Sequence, residues 1–482
     1  MRRPAFSVAF TLALVLMAAA CAPGPEPGSE PGSAPGPEVA KRASTAVLLP
    51  ADLPPARGFP VVRPPAPSRS NADLAADFLD LEFSLETGRA LPHLTRFEAP
   101  ITYAVSGNPP PTVAGDLAVL TARLRDEAAI TLTQTTGTAS ITLNFLPRRI
   151  IKGNDSTVAC FVVPGVSSWA DYQRARGSDR LDWAQLGQRD RIAVFIPSDS
   201  SPQEARDCLH EEIAQSLGPL NDLYRLSDSV FNDDNFNTVL TGFDMLMLRL
   251  HYAPELASGM TRAEVAARLP ALLARYNPAG TGPATPVPST TPAAWEEAMQ
   301  TALGIRGSAA FRHRAAVRAL AIAHDAGWTD SRLPFSHFAL GRAALGVDSA
   351  SAVSAFSRAA SLYRRLPGGR IHAAHADMQL AAFALSQGWS DDAISLADRS
   401  IPVVTTAENA ALLATFQMIK AEALALQGRA AEAAALRQAS LGWARYGFGN
   451  GHDLAARITA IAALVPPDLR GRPARLTAAG DP

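Results

Sequence analysis

The stretch 201–222, SPQEARDCLHEEIAQSLGPLND, constrains the fold most strongly, because both ends of a helix are marked in it. Ser201 can cap the first turn, Pro202 suits the first helical position, and Glu204 can reach back to the cap. Gly218, which is followed by a proline, ends the pattern. The sequence therefore predicts one helix here, and the rest of the chain is interpreted around it.

Charged and amide side chains cluster at the centre of this helix, where Glu211 and Gln215 share one face with Glu212 beside them. H-E-x-x-H proteins place two metal ligands and a general base in this arrangement. The longer pattern H-E-x-x-H-x-x-G-x-x-H aligns, in order, with Glu211, Glu212, Gln215, Gly218 and Asn221. All three histidine positions are thus replaced. Because amides are weak zinc ligands, we expect poor zinc affinity.

In a metal hydrolase of this pattern these residues would line the substrate cleft, so here they define a degenerate cleft with three possible interpretations. In the first, its polar residues are structural or vestigial. In the second, the cleft binds a peptide without hydrolysis. In the third interpretation it is a metal-dependent hydrolase, with Glu212 as base and Glu211, His210 or Asp222 as ligands. Only this interpretation calls for a cofactor, a divalent metal. No nucleophile elbow, P-loop or dinucleotide fingerprint suggests another chemistry.

The beginning of the chain predicts export. Residues 1–20 have the charged, apolar and small-residue zones of a secretory signal. The segment MAAAC resembles a bacterial lipobox, so we expect lipidation of Cys21 and, because Ala22 follows, retention at the outer membrane facing the periplasm. A plain secretory signal cut near Ala20 is the alternative. Without Cys21 the chain keeps an even pair, Cys160 and Cys208, which we expect to form a disulfide in an oxidising compartment.

Composition separates the remaining segments. Residues 21–70 are rich in Pro, Gly, Ser and Glu and are predicted to be a disordered tether; residues 278–292 form a second linker, and 467–482 a disordered tail. The net charge of −1, from 44 basic and 45 acidic residues, gives no electrostatic footprint for nucleic acid. Between the linkers the chain is long enough for two domains.

The first domain, 71–277, is predicted to be α+β. Apolar and alternating segments such as PITYAVSG, SITLNFLP, CFVVPGV and RIAVFIPSD indicate strands, and AGDLAVLTARLRDEAAI indicates a helix. Further on, FNDDNFNTV places Asp233, Asn235 and Asn237 at the offsets of a calcium loop. Thr238 occupies the position that needs glycine, so an Asx-rich turn is favoured.

The string from ACFVVPGVSSW through DCLHEEIAQSLGPLND to TRAEVAARL resembles a bacterial family of uncharacterised proteins, the domain of unknown function 2927. The resemblance covers roughly 71–277. That family is similar to zincin metallopeptidases and has no established activity. It implies a zincin-like fold, with a helix laid against a mixed sheet, and an envelope location, but no particular reaction.

Residues 293–466 are predicted to be wholly helical. Gly346, Gly388 and Gly428 end successive helices at spacings of 42 and 40 residues, and a second helix follows each of them. The pattern resembles a tetratricopeptide array with lengthened units, in which a concave groove takes a protein or peptide partner. We expect Phe356 and Leu396 to belong to that groove. An ordinary helical bundle is the alternative.

Together these features predict a cell-envelope lipoprotein in which a degenerate zincin-like domain is followed by helical repeats with a protein-binding or scaffolding role. The expected partners are the membrane, through the lipid anchor, and a polypeptide. A metal-dependent peptidase with atypical ligands is the alternative.

Overall fold

The computed structural model describes residues 53–60, 63–152, 160–283, 285, 290–449 and 452–469. The predicted signal peptide, Cys21 and most of the predicted tail lie outside these ranges. No described helix combines the length and the apolar character that a membrane crossing needs.

The first domain contains a five-stranded mixed sheet. Its strands are β1 (Ile101–Gly107), β2 (Leu132–Gln134), β3 (Ile141–Leu146), β4 (Phe161–Pro164) and β5 (Ile192–Pro197). They lie in the order β2-β1-β3-β5-β4; four are parallel, and β4 runs antiparallel to β5 at one edge. The predicted strand segments are therefore confirmed.

In the part of this domain that the structure describes, seven α-helices accompany the sheet. They are α1 (Asn71–Glu82), α2 (Val113–Ala128), α3 (Arg148–Lys152), α4 (Trp169–Ala175), α5 (Pro202–Leu217), α6 (Gly242–His251) and α7 (Arg262–Tyr276). Helix α2 provides the crossover that parallel strands require, since it links β1 to its parallel neighbour β2. The long predicted helix within 201–222 is confirmed as α5.

Both faces of the sheet are covered at strand β5, since all six of its residues are buried. Successive side chains of a strand point to opposite faces. Val194 and its neighbours at even positions join the core that includes α2, α5 and α6. Phe195 points the other way and packs with Trp169 and Tyr172 of α4. An almost continuous apolar segment is thus needed where helices cover both faces.

Beyond α7 the described chain is helical. The helices are α8 (Ala293–Leu303), α9 (Ala309–Asp325), α10 (Arg332–Ala344), α11 (Ser349–Tyr363), α12 (Arg370–Ser386), α13 (Ser390–Thr406), α14 (Ala410–Leu426), α15 (Ala430–Phe448) and α16 (His452–Leu464). Short turns join α8 to α9, α10 to α11, α12 to α13 and α14 to α15, so these are antiparallel pairs. Helices α12 and α14 are buried on most of their surface and form the inner layer.

Two of the three glycines that are predicted to end helices adopt the left-handed backbone conformation that favours glycine at this position. Gly388 and Gly428 have φ of 75° and 76°, and each lies just past a helix C-terminus. The next amide in the chain donates back to the helix, from Trp389 to the Ala384 carbonyl at 2.9 Å in the first case. Glycine is favoured there because a Cβ is disfavoured in the left-handed region. Gly346 is not among the glycines with positive φ.

The expectation that Phe356 lines a groove is wrong. Its side chain is only 1% exposed, and its ring lies 5.6 Å from that of Phe338, in the core between α10 and α11. A Cβ at Gly341 would lie 2.8 Å from the Phe356 ring. Leu396 is partly buried and packs against the neighbouring core. Small residues on one helix accommodate large ones on its partner, so the alternation seen in the sequence reflects core packing.

The first domain contacts the helical region at the N-terminal ends of the first helices of its pairs. These contacts include Tyr224 with Trp295 of α8, Phe236 with Phe335 of α10, Asp234 with His372 of α12, and Gln203 with Ala411 of α14. These helices therefore present the same end to the first domain. The turns at their other ends lie on the far side.

Part of the predicted tether has a defined place. The Arg57 amide donates to the Gly442 carbonyl at 3.1 Å, and the Phe59 ring stacks on Trp443 at 4.5 Å between centroids. Pro65 lies against Gly242, where a Cβ would meet the Pro65 carbonyl. Residues 53–60 and 63–70 therefore differ from the disordered segment expected through residue 70. The aromatic and arginine side chains in this segment give it contacts that its Pro-rich composition does not indicate.

Candidate functional site

Helix α5 carries the candidate site and is fixed at both ends. The Ser201 hydroxyl accepts a hydrogen bond from the Glu204 amide at 3.2 Å, as predicted. The Glu204 carboxylate does not return to the cap but accepts a hydrogen bond from Arg148 at 2.5 Å. At the other end Gly218 lies where a Cβ would approach the His251 ring to 3.1 Å. Close packing, and not a left-handed turn, therefore favours glycine at the end of this helix.

The C-terminal carbonyls of α5 are satisfied by a buried arginine that the sequence interpretation did not single out. The Arg189 guanidinium is 3% exposed and donates to the carbonyls of Gln215, Ser216 and Gly218 at 2.6, 2.8 and 2.5 Å. The Tyr252 hydroxyl donates to the Leu217 carbonyl at 3.0 Å. A cation at a helix C-terminus also interacts favourably with the helix dipole. Arg189 thus fixes the orientation of the site helix.

The predicted disulfide between Cys160 and Cys208 is confirmed, with a Cα–Cα distance of 6.0 Å. It joins the residue before edge strand β4 to the middle of α5. A bond that closes a loop of this length stabilises the fold by about 4 kcal/mol in the chain-entropy model. Helix α5 is therefore held to the sheet covalently at one edge.

His210 has a structural role in the packed interior of the first domain. It is 3% exposed, and its Nδ1 accepts the Leu240 amide at 3.1 Å. Burial, followed by the charges of Arg206 and Arg123, lowers the pKa of His210 well below its usual range. A neutral ring with one nitrogen engaged by the backbone acts here as a hydrogen-bond acceptor.

Glu212 lies at the bottom of the candidate site. Its side chain is 3% exposed, and its Oε2 has no hydrogen-bond partner within the described residues. Burial raises the pKa of Glu212 well above its usual range, and the charges of Glu211 and Glu86 raise it further. The pKa of Glu211 is raised to about 7, by burial first and then by the charges of Asp233 and Glu86. The protonated form of both groups is favoured.

Asp222 completes the cluster, whereas two other predicted residues do not join it. The Asp222 Oδ1 has no hydrogen-bond partner within the described residues. Its pKa is raised well above the usual range by burial and by neighbouring carboxylates, Glu211 first. Asn221 points away from the cluster, since its Nδ2 donates to the Asp80 carbonyl of α1 at 2.9 Å. Gln215 is 6% exposed and contributes its backbone carbonyl to Arg189.

Sequence reasoning missed three members of this site. The exposed carboxylates Glu86 and Asp233 are close enough to act on the charges of Glu211 and Asp222. Tyr224 forms a side-chain hydrogen bond with Asp233, and its ring lies 5.0 Å from Trp295 of the helical region. The pattern FNDDNFNTV assigns Asp233 to a turn, and no local motif marks Glu86 or Tyr224. Because all three lie before or after α5, only the fold brings them to this site. The arrangement is a cluster of carboxyl groups in which Glu212 is buried and Glu86 and Asp233 are exposed.

The donor set does not fit the zinc site that the resemblance implies. Zinc in proteins is held by thiolate, imidazole and carboxylate groups. The cleft offers carboxyl groups, while His210 is engaged elsewhere and Asn221 points toward α1. In the described part of the chain, no three His, Cys, Asp or Glu side chains are grouped as metal ligands.

The comparisons with known proteins bear on the first domain alone. No curated protein and no solved structure is similar enough to the chain to count as a match. Residues 71–271, which run from the start of α1 into α7, match the family model described as Protein of unknown function (DUF2927).

Proposed function

We propose that the protein is a bacterial cell-envelope lipoprotein whose first domain is a zincin-like module that binds a polypeptide without hydrolysing it. The helical region, as tetratricopeptide-like repeats, serves a protein-binding or scaffolding role. One observation carries the proposal. Glu212, at the position of the general base, is a buried acid with an unpartnered oxygen, and one carboxylate and two amides stand where imidazoles are expected. A base must be ionised to accept a proton, whereas this site favours the neutral acid.

The arrangement of the sheet supports the zincin-like part of the proposal. A mixed sheet with a helix that follows its last strand is the order expected of a zincin-type domain, and β5 leads directly into α5. Within the described sheet the outer side of β4 is unpaired, and the disulfide holds this edge next to α5. An extended peptide can add to such an edge through main-chain hydrogen bonds. The acids at the cleft favour a ligand that carries a positive charge.

The working metallopeptidase is the second candidate, and only the position of Glu212 in the motif favours it. The two candidates differ in what Glu212 does. In the binding module it is a neutral group below the cleft. In the peptidase it deprotonates a water.

Glu212→Gln distinguishes the two functions. Because the pKa of Glu212 is raised in the folded chain, ionisation favours the unfolded chain increasingly as pH rises above the ordinary value of 4.5. Glutamine does not titrate. We therefore expect the variant to have a higher Tm than the wild type at about pH 8, with a gap that narrows toward acidic pH. Thermal unfolding across pH measures this.

The same variant is assayed for function, with metal analysis of the purified mature protein beside it. We expect no stoichiometric zinc and unchanged peptide binding in Glu212→Gln. Asn221→Ala serves as the control, since Asn221 occupies a motif position but contacts α1. Stoichiometric zinc, together with a peptidase activity that Glu212→Gln abolishes, would establish the metallopeptidase instead.

The envelope location has its own test. Lipidation at Cys21 anchors the protein in this proposal, so Cys21→Ser is expected to move it from the membrane fraction to the soluble periplasmic fraction. Membrane fractionation of both forms measures the shift. An unchanged distribution contradicts the lipoprotein part of the proposal and leaves the binding module untouched.

A further inference from the structure

Large apolar residues are exposed at equivalent turns of successive helix pairs. Ile305, Val347 and Trp389 each follow the glycine that comes after the first helix of a pair, and they are 66%, 53% and 53% exposed. A single exposed apolar residue is ordinary, but a recurrence at one position in three of the four pairs is not explained by core packing; in the fourth pair this position is Arg429. These residues lie at the C-terminal ends of α8, α10 and α12.

This position places the three residues far from the first domain. The N-terminal ends of α8, α10 and α12 contact Tyr224, Phe236 and Asp234. Helices of 11 to 17 residues separate their two ends by roughly 16–25 Å. The apolar turns therefore form the edge of the helical region that faces away from the candidate cleft.

Helix α9 extends this edge into a basic and apolar face. Phe311 and Val317 are 49% and 46% exposed. Arg314 and Arg318 are exposed three and seven residues after Phe311, a spacing that places them on the same helix face. The Phe311 ring also lies next to Gly307, which joins the helix face to Ile305 and Arg306 in the preceding turn. We call these six residues the α9 patch: Ile305, Arg306, Phe311, Arg314, Val317 and Arg318.

The charge of this segment contrasts with the balance of the whole chain. Residues 298–324 contain four arginines and no aspartate or glutamate, while the chain has a net charge of −1. Within the described residues, Arg306, Arg314 and Arg318 have no carboxylate at ion-pair distance. Elsewhere in the helical region, basic side chains do form ion pairs, such as Lys420 with Asp398 and Arg437 with Glu422. The arginines of the α9 patch are thus available to an anionic surface.

We propose that the α9 patch docks on the surface of a membrane that contains anionic phospholipids. A helix that interleaves arginines with large apolar residues can bury the apolar side chains at the headgroup boundary while the guanidinium groups contact phosphates. The arginine side chain suits this role because its planar donors match phosphate geometry. When the α9 patch contacts the bilayer, the candidate cleft lies on the opposite side of the protein, away from the membrane. This inference stands independently of the function proposed for the cleft.

The test uses the full chain with Cys21→Ser, so that no acyl chain contributes to binding. Co-sedimentation is measured with vesicles of phosphatidylcholine alone and of phosphatidylcholine with phosphatidylglycerol. We expect binding to the anionic vesicles at low salt, and much weaker binding to neutral vesicles or at high salt. Reversal of two charges in Arg314→Glu with Arg318→Glu is expected to lower the vesicle partition coefficient at least about tenfold.

A matched control separates the patch from net charge. Arg149→Glu with Arg176→Glu changes the charge equally at exposed positions of the first domain, and we expect partitioning within about twofold of the starting protein. Phe311→Ser with Val317→Ser should weaken binding without any change of charge. An equal loss in both arginine pairs, or no preference for anionic vesicles, overturns the proposal. Unchanged Tm values establish that each variant is folded.

Discussion

Replacement of Arg189 with methionine is expected to destabilise the first domain by about 3–5 kcal/mol, because the guanidinium is the partner of three carbonyls at the end of the site helix. The Arg189 Cζ also lies over the Trp183 ring, 5.1 Å from the ring centroid. Methionine fills part of the volume but leaves the buried carbonyls without donors. Thermal or denaturant unfolding of the purified protein measures the effect.

Two variants show whether the hydrogen bonds, and not the loss of charge alone, cause this effect. Arg189→Lys keeps the charge but loses the planar set of donors, so an intermediate loss is expected. Arg191→Met is the matched control at an exposed position two residues on, and it should change the free energy of unfolding by less than about 0.5 kcal/mol. Equal stability of Arg189→Met and Arg191→Met would show that Arg189 does not fix α5.

Phe236→Ala is expected to cost about 3–5 kcal/mol and to uncouple the first domain from the helical region. The residue lies in the loop between α5 and α6 and is 6% exposed. Its ring contacts aromatic rings of the helical region, namely Phe335, Phe338, Tyr363, His372 and His375, at centroid distances of 4.4 to 6.2 Å. We expect unfolding to separate into two transitions, since the two parts would then melt independently.

The same truncation at an exposed phenylalanine provides the control for Phe236. Phe311→Ala, at a side chain that is 49% exposed, should leave the unfolding profile nearly unchanged. Differential scanning calorimetry resolves the transitions, and limited proteolysis of the linker at 278–292 reports on the uncoupling. A single unshifted transition in Phe236→Ala would mean that the Phe236 side chain does not couple the two parts.

Phe236 reaches the helical region through local turns. The Asn232 Oδ1 accepts the Asp234 amide and the Asp234 Oδ1 accepts the Phe236 amide, both at 3.1 Å, as in successive Asx turns. The Asp234 Oδ2 lies 2.9 Å from the His372 Nε2 in α12. The expectation of an Asx-rich turn in FNDDNFNTV is thereby confirmed. Only the structure shows that the turn directs an aromatic side chain into a neighbouring core.

The sequence by itself determined the features that depend on neighbours along the chain. The Ser201 cap follows from short-range hydrogen bonding, which residues a few positions apart can signal. The helix ends at Gly218 as predicted, although the reason for glycine there is the tertiary contact with His251. The continuous apolar segment of β5 and the recurrence of Gly388 and Gly428 also express local geometry. The cysteine pair could be inferred because Cys160 and Cys208 are the only two cysteines that follow Cys21 in the sequence.

The tertiary structure alone decided which side chains meet. Glu86 and Asp233 join Glu211 and Glu212 from segments before and after α5, so no spacing in the sequence marks the cluster. Burial and repulsion between like charges, which set the pKa of these acids, depend on the packed environment and not on the residue type. Asn221 aligned with a ligand position, yet its amide satisfies a carbonyl of α1. A motif determines the position of a residue along a helix, whereas the surrounding elements determine what its side chain contacts.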